Sequence, residues 1–231
     1  MSQRCIRSSK ITGCLLASER KGVDAKFLLS VYRSALADTS ALYCSAPITS
    51  GRRFIQWVRH RGHDISDVDD AVVQYAGEHR AIVVAPNLAH AATVVRELRK
   101  RSPIPVIDPT GVPHISGWDQ AAWLNFWESV IERFAIGVVL VNDWEFSYGC
   151  AHEFMFAHAT GIPTFAEDGR FLDLAAGRAL IEDAVAQISL AGGSVARFEK
   201  TLSANPPQQL RAKIEARSLK DLFDRCRQDA Q

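Results

Sequence analysis

Ile136–Val141 reads I-G-V-V-L-V, and after Asn142 and Asp143 the chain continues through Trp144–Glu153 as W-E-F-S-Y-G-C-A-H-E. A run of β-branched and aliphatic residues without polar alternation is the pattern of a strand buried on both faces. The polar turn that follows leads into a helical pattern containing Ala151, Phe154, Phe156 and Ala157. A strand that empties through a turn into a helix places that turn at the carboxyl edge of a parallel sheet, where open α/β folds bind their ligands. Glu153 then lies about a turn inside the helix among apolar neighbours, with Ser147 and Gly149 ahead of it. A carboxylate held partly dry beside such a crevice is a candidate nucleophile or base. The same glutamate also suits a helix start simply by complementing the helix dipole.

Working outward, the spacing predicts a helix over Asp24–Leu36 and a first strand at Ala41–Ala46, stopped by Pro47. A helix through Phe54–Val58 follows, then a polar loop over His60–Asp70 and a short helix at Ala71–Tyr75. Ala81–Ala85 (A-I-V-V-A) reads as a second buried strand ended by Pro86. Leu88–Leu98 is an amphipathic helix closed by the basic run Arg99–Arg101. Ile104–Ile107 is a short third strand, Gly111–Gly117 a turn-rich loop and Trp118–Phe134 a strongly periodic helix. After the helix at residues 150–160 and the stop at Gly161, Pro163–Ala166 supplies the last strand. Alternating strands and helices predict a doubly wound α/β sandwich of about five parallel strands. From Phe171 onward the pattern is helical, with breaks at Ala191–Ser194 and at Asn205-Pro206-Pro207. The expected organisation is a helical extension over 1–37, an α/β domain over 38–170 and a helical extension over 171–231.

The 231 residues suit one medium domain with additions, and 47% apolar with 23% charged residues is an ordinary globular balance. A formal net charge of +1 gives no sign of a nucleic-acid or membrane surface, so any anion site must be local. The five cysteines are scattered without C-x-x-C spacing and read as reduced thiols. No export signal or membrane span is visible, so the expected location is cytoplasmic.

Two motifs carry a resemblance. W-E-x-S-x-G-C-x-x-E followed by F-A-H-A-T-G-I-P-T-F, together with the opening A-L-Y-C-S-A-P-I-T-S-G-R-R, resembles the nucleoside 2-deoxyribosyltransferase-like superfamily over residues 38–170. The closest flavour is the small branch whose motif reads W-E-x-S-x-G-A-x-x-E. Members break N-glycosidic bonds of nucleosides or nucleotides, by base transfer or by hydrolysis. The resemblance implies that Glu153 is the nucleophile, that Ser147 lies near the sugar 5′ end and that Tyr43 is the aromatic ending strand one. The family's second acid, usually aspartate in the helix before the motif strand, falls on Glu128, one methylene longer, with Asp119 as its rival. It also implies a homodimer or dimer of dimers in which subunits complete one another's pockets.

The chemistry asks for these residue types independently. Breaking an N-glycosidic bond develops positive charge on the sugar, which a carboxylate stabilises or captures, and a second group must manage the proton. Ile48, Thr49, Ser50, Gly51 and Arg52 offer hydroxyls, a flexible backbone and a guanidinium at a helix start, a set that can hold a phosphate. It equally suits a polar turn capping a helix. The expected substrate is therefore a nucleotide or nucleoside, with no metal or organic cofactor and no nucleic-acid or membrane partner. His152, Glu153 and His158 do not make a zinc helix, because the histidines are six apart and not four. A nucleotide-binding sensor without turnover is the alternative. The aromatic residues Trp118, Trp123, Phe126 and Trp127 exceed one buried stripe and place the expected subunit contact on their helix.

Overall fold

The computed structural model describes residues 24–37, 39–61, 68–113, 115–203 and 216–229. The expected break at Asn205-Pro206-Pro207 lies outside the described residues. The elements are α1 (24–36), β1 (Ala41–Ser45), α2 (Arg52–Arg61), α3 (Val68–His79), α4 (Ala85–Arg101), β2 (Val106–Ile107), α5 (Gln120–Phe134), β3 (Ala135–Leu140), α6 (Tyr148–Ala159), β4 (Thr164–Ala166), α7 (Leu174–Leu190), α8 (Ala196–Ser203) and α9 (Leu219–Asp229). A 3-10 turn, Trp144–Phe146, joins β3 to α6.

The four strands form one parallel sheet in the order β2-β1-β3-β4, flanked by helices. Alternation along β1 divides the core in two, because successive side chains leave opposite faces. Ala41 and Tyr43 join the cluster that contains Phe126, Trp127, Ala151 and Phe154, whereas Leu42 and Cys44 join Val94, Leu98, Leu219 and Leu222. The carboxyl ends of all four strands share one edge, and the order reverses between β1 and β3, which makes the ends of those two strands the topological switch point.

The sheet has four strands, not about five, because Ala81–Ala85 is helical. Residues Arg80–Val84 form a π-helical stretch continuous with α3 and α4. A five-residue apolar run has the same composition in a buried helix as in a strand. Burial decides it: His79, Val83, Asn87 and Ala91 are buried at every fourth position, while Ile82 stays 46% exposed. Pro86, read as a strand terminator, sits in the first turn of α4, where its missing N–H costs no helical bond.

The aromatic surplus on α5 is taken up inside the chain. Tyr32 of α1 packs at 6.2 Å from Phe126, 6.3 Å from Trp127 and 6.4 Å from Phe134, and Trp118, Phe126 and Trp127 are all buried. Of the aromatics on which the expected subunit contact was argued, Phe126 and Trp127 pack against α1, and Trp123 stays partly exposed. The C-terminal helices belong to the same cores: Ile181, Ala184, Ile188 and Phe198 join the first, and Leu222 of α9 lies against β3 at Gly137. Among the described residues, no helix is long and apolar enough to cross a membrane.

Candidate functional site

Tyr43 and Ser45 are two apart on β1 and so leave the sheet on the same face. That face is covered by α6, and Glu153, a turn inside it, reaches back to both. The Tyr43 hydroxyl donates to Glu153 Oε1 at 2.8 Å, and the Ser45 hydroxyl donates to Oε2 at 2.6 Å. Each carboxylate oxygen therefore has one fixed donor, which sets the side chain's position. Glu153 is only 7% exposed. Burial raises its pKa to about 6, against the lowering effect of the Ser45 and Tyr43 hydrogen bonds and of nearby His152. Tyr43 is fully buried, and burial together with the Glu153 carboxylate pushes its phenol well above the ordinary range, so it stays a donor.

Cys150 lies three residues before Glu153, on the same side of α6. Burial and the Glu153 charge raise its thiol to about 12, against hydrogen bonds with Ser147 and Ser45. It is a neutral packing group, not a thiolate nucleophile. Ser147 is buried at the N-cap of α6, with no side-chain capping bond. Gly149 has no packing need to be glycine, since a β-carbon there would meet only Ser147 Oγ, at 4.0 Å.

The loop after β1 is joined to the motif turn through Arg52 at the start of α2. Arg52 Nε donates to Asp143 Oδ1 at 2.8 Å, Arg52 Nη2 lies 3.6 Å from Glu145 Oε1, and its guanidinium stacks 4.3 Å from the Phe146 ring centre. Asp143 carries a positive φ of 67°, a conformation uncommon for any residue but glycine. Gly51 has φ +89°, and a β-carbon there would also crowd Pro47 at 3.0 Å, so this turn requires glycine. Carbonyl groups of the loop are held from behind: Asn87 Nδ2 donates to the carbonyls of Ile48 (3.1 Å) and Ser50 (2.8 Å), and His79 Nε2 pairs with that of Thr49 (2.7 Å). The residues misread as a strand are thus flanked by the two side chains that shape this loop.

The two candidates for the second acid separate clearly. Asp119 accepts a hydrogen bond from the Ala122 N–H at 2.9 Å and caps α5. Glu128 accepts from His152 Nε2 at 2.6 Å, which joins α5 to the residue next to Glu153. His158 instead pairs with Thr164 at 2.9 Å, so the two histidines of α6 have separate partners.

The structure therefore joins Glu153 to Tyr43 directly, puts Ser147 and Gly149 at the start of the same helix, and ties the Ile48–Arg52 loop to the turn before that helix through Arg52 and Asp143. Sequence reasoning missed Ser45, His152, Asn87, His79 and Asp143. Ser45 was recoverable, since once Tyr43 is placed on the inner face of β1 the residue two further on must share it. Removing that hydroxyl tests the description directly. Because the Ser45 hydrogen bond lowers the pKa of Glu153, Ser45→Ala is expected to move the carboxyl titration of Glu153, followed by NMR, upward from about 6. An unmoved titration would show that the Ser45 hydroxyl does not hold this carboxylate.

No protein-family model, curated protein or solved structure matches this chain.

Proposed function

We propose that this protein hydrolyses the N-glycosidic bond of a nucleoside or nucleoside 5′-monophosphate, with Glu153 as the nucleophile. The observation that carries the reading is the buried Glu153 carboxylate at the switch point, with Tyr43 and Ser45 on its two oxygens. The motif resemblance and the parallel sheet flanked by helices support it. In this mechanism the electron pair of the C1′–N bond leaves with the base while a carboxylate oxygen of Glu153 bonds to C1′. Water then cleaves the glycosyl ester and restores the carboxylate. The hydroxyls of Tyr43 and Ser45 hold the attacking oxygens, and burial keeps the carboxylate poorly solvated and reactive. Ser147 and the Thr49–Arg52 loop hold the sugar 5′ end. Glu128, through its bond to His152, is the better placed of the two further acids, since Asp119 is a cap.

The experiment is a chromatographic screen of nucleosides and their monophosphates for liberated base. Release from at least one of them is expected, and nucleotide-dependent thermal stabilisation without release would favour the sensor reading instead.

Arg52 decides between the two substrate forms. It holds Asp143 and is only partly exposed, so a phosphate must exchange with that carboxylate. If the exchange occurs, Arg52→Ala should raise KM for the monophosphate at least about tenfold, the value of one charge-assisted contact, while changing KM for the nucleoside little. Equal changes for both would make Arg52 a strap between the two loops and the nucleoside the substrate.

A further inference from the structure

A second pair of titratable groups lies at the same sheet edge, on the opposite face from Glu153. His90 of α4 and Glu167, the residue after β4, are joined at 3.0 Å between Nε2 and Oε2. Their side chains are 36% and 21% exposed. The same Glu167 oxygen accepts the backbone N–H of Asn142 at 2.8 Å, which anchors the carboxylate to the turn that carries Asp143 and leads into the motif. Glu167 is thus fixed by the backbone at one contact and orients an imidazole at the other. With Nε2 committed to Glu167, Nδ1 is the remaining proton-exchanging atom, and no described residue hydrogen-bonds to it. A base oriented through its far nitrogen by a carboxylate is the arrangement that proton-transfer catalysis requires.

The sheet register places this pair relative to Glu153. Ser45, which holds Glu153, pairs with Leu140, and Leu140 pairs with Ala166, the residue before Glu167. The two strand ends are two strand spacings apart, roughly 10 Å. A ligand lying over the carboxyl ends of β1 and β3 therefore has Glu153 to one side and His90 to the other.

We propose that His90, oriented by Glu167, is the acid that protonates the departing base and the base that activates the water. The inference rests on the N-glycosidase reading above. In the first step the imidazolium gives its Nδ1 proton to a ring nitrogen of the base as the C1′–N bond breaks and Glu153 bonds to C1′. In the second, water attacks C1′, its proton passes to Nδ1, and the Glu153–C1′ bond breaks. The sum is nucleoside plus water to free sugar plus free base, with both side chains returned to their starting states.

The test compares purine nucleosides with their N7-methylated counterparts, whose base is already cationic and leaves without a proton. His90→Ala is expected to lower release from the unmethylated nucleosides by about a hundredfold or more while changing release from the methylated ones only a few-fold. Glu167→Gln should show the same selectivity to a smaller degree. Because His90 is partly exposed, both variants should melt close to wild type, and His90→Gln provides a second replacement that keeps a polar group. Equal losses on both substrate sets, or no loss on either, would overturn the assignment of His90 and leave the pair as a tie between α4 and β4. Wild-type protein that releases base from neither set would overturn the N-glycosidase reading, and the role of His90 with it.

Discussion

Replacing Glu153 by glutamine is expected to abolish base release and, at neutral pH, to raise the melting temperature. Glutamine keeps an oxygen for Tyr43 and an amide facing Ser45, but it cannot capture C1′. Loss of a covalent nucleophile costs about 4 kcal/mol of barrier or more, roughly a thousandfold in rate. The stability change has the opposite sign. Burial raises the Glu153 pKa from 4.5 to about 6, so the folded protein holds that proton more tightly than the unfolded chain. The resulting stabilisation is complete below about pH 4.5 and is lost as the pH rises through about 6. Above that, the fold carries a buried ionised carboxylate at a cost of about 2 kcal/mol, which a neutral glutamine removes. For a chain of this size that corresponds to roughly 4–8 °C in Tm at pH 7.5. The gain should vanish at pH 4.5. Melting curves at the two pH values, beside the base-release assay, check both arms. A variant with near-wild-type release would make Glu153 a structural residue, and a Tm difference independent of pH would remove its buried charge.

The parts of the candidate site were unequally legible in the sequence. The strand Ala135–Leu140 and the turn into α6 were readable because a two-sided apolar strand has no helical alternative at that length beside a polar turn and a cap. Ala41–Ser45 was readable for the same reason. Ala81–Ala85 was not, since valine and isoleucine fit either a strand or a buried helix face, and tertiary packing against α2 chose the helix. That error hid the roles of His79 and Asn87, which reach the loop after β1 only from a helix. Glu153 was legible from local pattern alone. Its partner Ser45 was reachable only by first placing Tyr43 on the inner face of β1, and the His90–Glu167 pair was not legible, because these contacts span 108 and 77 residues and exist only once the parallel register is set. The α1 contacts were hidden for a related reason: α5 offers more aromatic surface than one face of the sheet needs, and helix α1, distant in sequence, packs on the part of it formed by Phe126, Trp127 and Phe134.

Gly177→Ala is expected to destabilise the protein strongly, against the usual sign for a glycine inside a helix. In the interior of a helix, alanine is favoured over glycine by about 1 kcal/mol. At this position in α7, however, an added β-carbon would stand 2.0 Å from Cζ of Phe154 and 2.6 Å from both of its Cε atoms. Phe154 has no exposed surface and no free direction to move, with Trp144 at 4.9 Å and His158 at 4.6 Å between ring centres. Overpacking of a well-filled core costs about 1–3 kcal/mol and at times more, and separations this short belong at or above the upper end. The clash therefore outweighs the helix preference, and the net loss should be about 2 kcal/mol, or roughly 4–8 °C in Tm. Phe154 is also the neighbour of Glu153, so a displaced ring moves the turn of α6 that aims the carboxylate at Tyr43 and Ser45. Base release should then fall by more than the unfolded fraction accounts for. A second change that shortens the ring, Phe154→Leu, makes room for the new methyl, so the double variant should lose less stability than the two single losses added together. Thermal melts of the four proteins measure that coupling, and Gly177→Ala melting at or above wild type would show that α7 does not press on Phe154 as described.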